Sequence, residues 1–195
     1  MKKLIYSLTL VLLLGCSGTR IKTYTNPSFS RESYQKYALL PIRNISLSPS
    51  EGLEVNKTFL STLMAKNPGK KIINSVDVNR ILNESNSVSI YDQFLREFEN
   101  TGLPNTNILN TLGKQLNCDA IIQGIIVNFK QESYPRSRTT AGLRYVIIST
   151  KNGDILWESQ SSGYKNGAWA WSQPPPLFDV LGKIQKKMVR VIPSL

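Results

Sequence analysis

The chain has 195 residues, a formal charge of +11, and 41% hydrophobic against 19% charged residues, the composition of one folded domain and not of a disordered chain. It contains no histidine, which excludes Ser-His-Asp and Cys-His catalysis, histidine metal clusters and histidine pH switches. Its two cysteines, Cys16 and Cys118, are too few for a four-ligand zinc site.

Met1-Lys2-Lys3 opens the chain, residues 4–14 are almost wholly apolar, and Leu13-Leu14-Gly15-Cys16 closes the run. This is the shape of an export signal. Its apolar stretch is too short to cross a hydrocarbon core of about 30 Å as a helix. Leu13-Leu14-Gly15-Cys16 resembles the processing box of bacterial lipoproteins. That resemblance implies a lipid on Cys16, removal of residues 1–15, and attachment to a membrane, the outer membrane facing the periplasm being expected. Removing the signal takes away Lys2 and Lys3 and no acid. A basic excess outside the cytoplasm suits anionic head groups or acidic envelope polymers, and nucleic acid is not expected as a partner. Once Cys16 is lipidated, Cys118 has no cysteine left to pair with.

Residues 16–36 are polar and broken by Gly18 and Pro27, without a sustained period, and read as a flexible tether. A single α/β domain is expected over 37–195. Residues 37–42 suit a buried first strand, with Pro41 where no ladder donor is needed. Leu53, Phe59, Leu60, Leu63 and Met64 recur at helical spacing after Ser50, a candidate cap, and Asn67-Pro68-Gly69 stops the helix. A short strand over 71–74 follows, then a helix capped by Ser75 and carrying Val78, Ile81 and Leu82. A helix over 91–99 is expected, then a stronger one after Asn105 with Ile108, Leu109, Leu112 and Leu116.

Residues 119–129 form an Ile- and Val-rich strand in which Gly124 marks a bulge or a close approach. Residues 134–138 make an exposed turn. Segments 143–150 and 155–161 flank Asn152-Gly153, the signal for a two-residue hairpin. In that register Ile148 faces Trp157, Thr150 faces Ile155, and Lys151 pairs with Asp154. A last amphipathic helix over 177–191 buries Leu177, Leu181, Ile184 and Met188. Its other side carries Lys183, Lys186, Lys187 and Arg190, read either as contacts to an anionic surface or as a solvated face.

Leu112-Gly113-Lys114-Gln115-Leu116-Asn117-Cys118-Asp119-Ala120-Ile121-Ile122-Gln123-Gly124, with residues 37–46, 74–84 and Asn152-Gly153-Asp154-Ile155-Leu156-Trp157, resembles the bacterial envelope family of CsgG, the TolB amino-terminal domain and LpoB. The resemblance implies an α/β (α+β) fold, a mixed sheet with helices packed on it. It also implies a non-catalytic module in assembly or transport of envelope components, with no cofactor and no bound metal. Cys118 stands where that family commonly has alanine. No alternating segments are left over for the membrane-crossing hairpins of a CsgG-type pore. The tether is short beside those of LpoB-type regulators of cell-wall synthesis, which form the alternative reading.

Without histidine, Cys118 lacks a base and reads as a small core side chain. Among carboxylates, neither Glu97 with Glu99 nor Asp92 with Glu97 shares a helix face, while Glu84 with Asp119 is a pair only a fold could bring together. A glycan hydrolase would need two convergent carboxylates, and the chain is expected not to be an enzyme. The least ordinary stretch is Gly167-Ala168-Trp169-Ala170-Trp171-Ser172-Gln173-Pro174-Pro175-Pro176. Trp169 and Trp171 either reach a partner, which is an envelope protein or another copy of the chain, or a membrane interface, or they cover a sheet edge.

Overall fold

The computed structural model describes residues 20–29, 33–42, 47, 49–169 and 172–195. Its elements run β1 Arg20–Thr25, β2 Lys36–Leu39, α1 Pro49–Lys66, β3 Lys71–Ile73, α2 Ser75–Glu84, α3 Val88–Thr101, α4 Thr106–Leu116, β4 Ala120–Glu132, β5 Arg138–Ser149, β6 Ile155–Asn166 and α5 Leu177–Val191. The six strands form one mixed sheet in the order β1-β6-β5-β4-β2-β3. Strands β1, β6, β5 and β4 pair antiparallel in turn, and β2 is parallel to both β4 and β3.

Strand alternation sends successive side chains to opposite faces, and each face has its own apolar cluster. Tyr37, Leu39, Ile122, Tyr145, Ile147 and Trp157 meet α1 and α5 on one side. Ala38, Leu40, Ile121, Val146 and Ile148 meet α2, α3 and α4 on the other. The expected α/β architecture, a mixed sheet with helices packed on it, is the one observed. Between the layers, Gln185 of α5 donates from Nε2 to the Val55 carbonyl at 2.8 Å and to the Tyr145 hydroxyl at 3.1 Å. The Tyr145 ring stacks on Phe59 with centroids 3.7 Å apart.

Several local readings need correction. Residues 20–25 lie within the stretch read as a tether, yet they form β1, fully paired with β6 from Arg20↔Ser162 to Thr25↔Trp157. The strand is exposed along almost its whole length, so no apolar side announces it. The cap of α2 is Asn74, not Ser75: its side chain accepts from the amides of Val76 and Asp77. Helix α3 begins at Val88 and runs to Thr101, beyond the expected span at both ends. Gly124 marks a close approach, where a Cβ would lie 2.6 Å from Tyr145 and 2.8 Å from Ile42. The bulge of β4 falls later, between Ile126 and Asn128.

The β5–β6 hairpin forms, but its loop is longer than two residues. The Gly153 amide reaches back to the Ser149 carbonyl at 3.1 Å, with Gly153 at φ 76°, the left-handed conformation glycine adopts without strain. A register shift then places Ile147 opposite Trp157 and Ile148 opposite Ile155. The Asp154 carboxylate receives Asn152 Nδ2, not Lys151.

Candidate functional site

At one end of the sheet, α4 enters β4 through the segment with the most specific motif. Gly113 of α4 lies against Thr150, and a Cβ there would sit 2.5 Å from the Thr150 Cβ. Thr150 Oγ1 is 2.9 Å from the carbonyls of both Cys118 and Asp119. One oxygen of Asp119 accepts the amides of Gln35 and Lys36, each at 2.9 Å, and so sets the start of β2 beside β4. Two open pockets of about 440 and 390 Å³ meet here around Cys118, Asp119, Thr150 and Lys151.

Cys118 itself is 7% exposed. Burial first, and then the charge of Asp119, push its thiol up to about 12, so at neutral pH it is a protonated core side chain and not a thiolate. Two of the carboxylates considered for acid and base work have local partners. Glu84 pairs with Arg80 across one turn of α2, and Glu97 accepts from Gln93 and Asn105, which ties α3 to the start of α4. The motif residues Gly113 and Asp119 thus hold the junction of helix and sheet together.

The other end of the sheet is differently made. After β6 the Gly167 amide donates to the Ser137 carbonyl at 2.8 Å. A Cβ on Gly167 would fall 2.3 Å from Ser172 Oγ, so only glycine permits this crossing. Ser172 Oγ donates to the Trp169 carbonyl at 2.8 Å, closing a turn. Farther on, the Pro175 carbonyl accepts from Thr139 and Gln131. A loop held at both ends therefore presents Trp169, which is 66% exposed. Beside it opens a pocket of about 300 Å³ lined by Arg136, Ser137, Asn166, Gly167, Ala168 and Trp169. The Ser137 hydroxyl is buried there without a hydrogen-bond partner among the described residues. The second ring of the motif, Trp171, lies outside the described residues, as does Cys16.

Helix α5 starts from this loop. Its apolar side, Leu177, Val180, Leu181, Ile184 and Met188, is buried against the sheet and α1. Lys183, Lys186 and Arg190 are exposed and Lys187 is half-buried. The Lys66 ammonium donates to the carbonyls of Val189, Arg190 and Ile192, satisfying the end of the helix where positive charge is favoured. The four stripe residues are on one element, whereas Trp169 stands on the loop before it.

Sequence reasoning passed over Arg136 and Ser137 as part of a turn, since no local pattern shows that Gly167 will close on Ser137. It also passed over residues 20–25, which have no apolar side to mark them as β1.

No family model matches the chain, and no curated protein matches it in sequence. Among solved structures, the fold is similar to that of the PelC dodecamer from Paraburkholderia phytofirmans, at 15% identity and a TM-score of 0.52, over 88% of this chain and 95% of that one. Lipoprotein GNA1162 from Neisseria meningitidis is similar at 14% identity and a TM-score of 0.47, over 80% and 95%. The LpoB C-terminal domain from Salmonella enterica is similar at 12% identity and 0.39, over 66% and 81%. The likeness to PelC is one of fold.

Proposed function

We propose that the chain is a lipid-anchored protein of the bacterial envelope that works by binding, without catalysis, and that its domain assembles with further copies of itself. The observation that carries self-assembly is Trp169, a large aromatic 66% exposed on a loop tied down at Gly167 and Pro175. Interface energy concentrates in such rings, and a constrained loop loses little freedom when it docks. The fold shared with PelC, which is described as a dodecamer, supports the same reading. Trp171, two residues on, is proposed as the second ring of this contact.

Membrane attachment rests on the signal and on Cys16. Each buried methylene of an acyl chain contributes about 0.8 kcal/mol, so two or more chains hold a protein on a bilayer durably. The basic side of α5, Lys183, Lys186, Lys187 and Arg190, is proposed to lie toward anionic head groups.

Sedimentation of the full protein extracted in detergent tests the assembly. The wild type is expected as an oligomer and Trp169→Ala as smaller species with an unchanged denaturation midpoint. A wild type that is monomeric at every concentration overturns self-assembly. Cys16→Ser is expected to move the protein from the membrane to the soluble fraction, and continued retention of a processed chain overturns the lipid anchor.

A further inference from the structure

The face of the sheet that carries α2, α3 and α4 is covered only in part. Those helices bury Ile121, Val146 and Ile148, and the cover ends at Arg144, whose guanidinium lies 5.3 Å from the Phe98 ring centre. Directly opposed residues on neighbouring strands share a face, so the pairing reads out what lies beyond. Arg144 faces Gln160, which faces Lys22; Ser162 faces Arg20; Thr140 faces both Lys130 and Tyr164; and Arg138 faces Asn166. Glu158 and its partner Tyr24 border the same area. Arg20, Lys22, Tyr24, Lys130 and Gln160 are exposed, and Arg138, Thr140, Ser162 and Tyr164 are half-buried. Helix α5 and its lysines are on the opposite face.

The charge on this surface is one-sided. Arg144 is neutralised by Glu158 at 2.9 Å and Lys130 by Glu132 at 2.7 Å. Arg20 and Lys22 make no ion pair among the described residues. Arg138 is spread over the Tyr164 ring at 4.4 Å and held by Asn166 at 3.0 Å; Glu132, directly opposite it on β4, divides its charge between Lys130 and Arg138, so the cations of this face still exceed its acids. Two tyrosine rings, at Tyr24 and Tyr164, flank hydroxyl and amide side chains. The exposed apolar groups of this surface are Tyr24 and Val127, whose Cγ2 lies where a Cβ on Gly142 would fall; the residues around them are cationic, hydroxyl or amide side chains, a surface more polar than the centre of a protein interface.

We infer that this face binds an acidic polysaccharide, its carboxylates meeting Arg20, Lys22 and Arg138 and its sugar rings lying on Tyr24 and Tyr164. The inference rests on the envelope location proposed above, which sets acidic polymers of that compartment ahead of nucleic acid.

Binding of the full detergent-solubilised protein to polygalacturonate, with neutral dextran and polyglutamate as controls, tests it. Polygalacturonate should bind, dextran should not, and added salt should weaken the complex. Lys22→Glu and Arg138→Glu should each weaken binding by about tenfold or more, and Tyr24→Ala by several-fold at unchanged melting temperature. Lys22 and Tyr24 are exposed, so those two variants keep the test informative should Arg138→Glu fail to fold. Equal affinity for polyglutamate with no effect of Tyr24→Ala overturns the inference in favour of bare charge attraction. So does a loss of binding that follows Lys183, Lys186, Lys187 and Arg190 instead of the sheet. Sedimentation of the same samples separates the readings: oligomers that bind no polygalacturonate overturn this inference alone, and monomers that bind it overturn self-assembly alone.

Discussion

Strand β6 begins near one tryptophan and ends near another, and the two ends differ in what surrounds the ring. Trp157 is fully buried in the cluster beneath α5, whereas Trp169 stands 66% exposed on the loop beyond Asn166. The Trp157 end is near the junction where Gly113 packs on Thr150 and Asp119 pins the start of β2. Its motif residues are consumed by backbone and packing. The Trp169 end spends glycine and serine on closing a loop and leaves the large side chain to solvent. The motif that resembles the envelope family thus lies at the end of the sheet away from the surface proposed to bind.

The contrast is sharpest in stability. Trp157→Ala should lower folding stability by about 3 to 5 kcal/mol, read as a large fall in denaturant midpoint; a fall no larger than that of Trp169→Ala would remove the distinction. Gly113→Val comes next. It drives new methyl groups into Thr150 and should cost about 1 to 3 kcal/mol, and Thr150→Gly in the same chain should restore part of the loss because it removes Cβ, Oγ1 and Cγ2, the atoms met.

Cys118 tests the same end through pH. Its folded pKa is raised, so its contribution is complete below the ordinary thiol value of about 8.5 and is lost as pH rises from there toward about 12. The stability difference between wild type and Cys118→Ala should therefore shrink over that range, and iodoacetamide should label the thiol only after unfolding. Tyr37 and Tyr145 are also raised by burial, so both proteins weaken in alkali and only their difference reports on the thiol. Ready labelling of the folded protein at neutral pH would return Cys118 to the functional candidates.

The smallest expected effect on folding belongs to the other end. Trp169→Ala should change stability by less than about 0.5 kcal/mol while weakening association between copies by about 2 kcal/mol, as seen in the concentration dependence of sedimentation. A midpoint loss of the size expected for Trp157 would make Trp169 part of the fold.

The sequence by itself determined what near neighbours decide. Asn105 caps α4 through the amides of Asn107 and Ile108. The 3.6-residue spacing of Ile108, Leu112 and Leu116 gives that helix one buried side, as the spacing of Leu177, Leu181, Ile184 and Met188 does for α5. The hairpin at Asn152-Gly153 and the strand-to-helix steps were legible for the same reason: capping, turn chemistry and periodicity act within a few residues. Tertiary structure alone decided the rest. Strand β1 has no apolar side, and it exists as a strand because its backbone pairs with β6 some 140 residues away in the chain. The shift that sets Ile147 opposite Trp157 is fixed by packing on both faces of the sheet, since a one-residue slip would send Trp157 from the cluster under α1 and α5 to the one under α2, α3 and α4. The basic surface brings Arg20 and Lys22 together with Arg138 and Tyr164 only once β1, β6 and β5 lie side by side, a juxtaposition that no local pattern encodes.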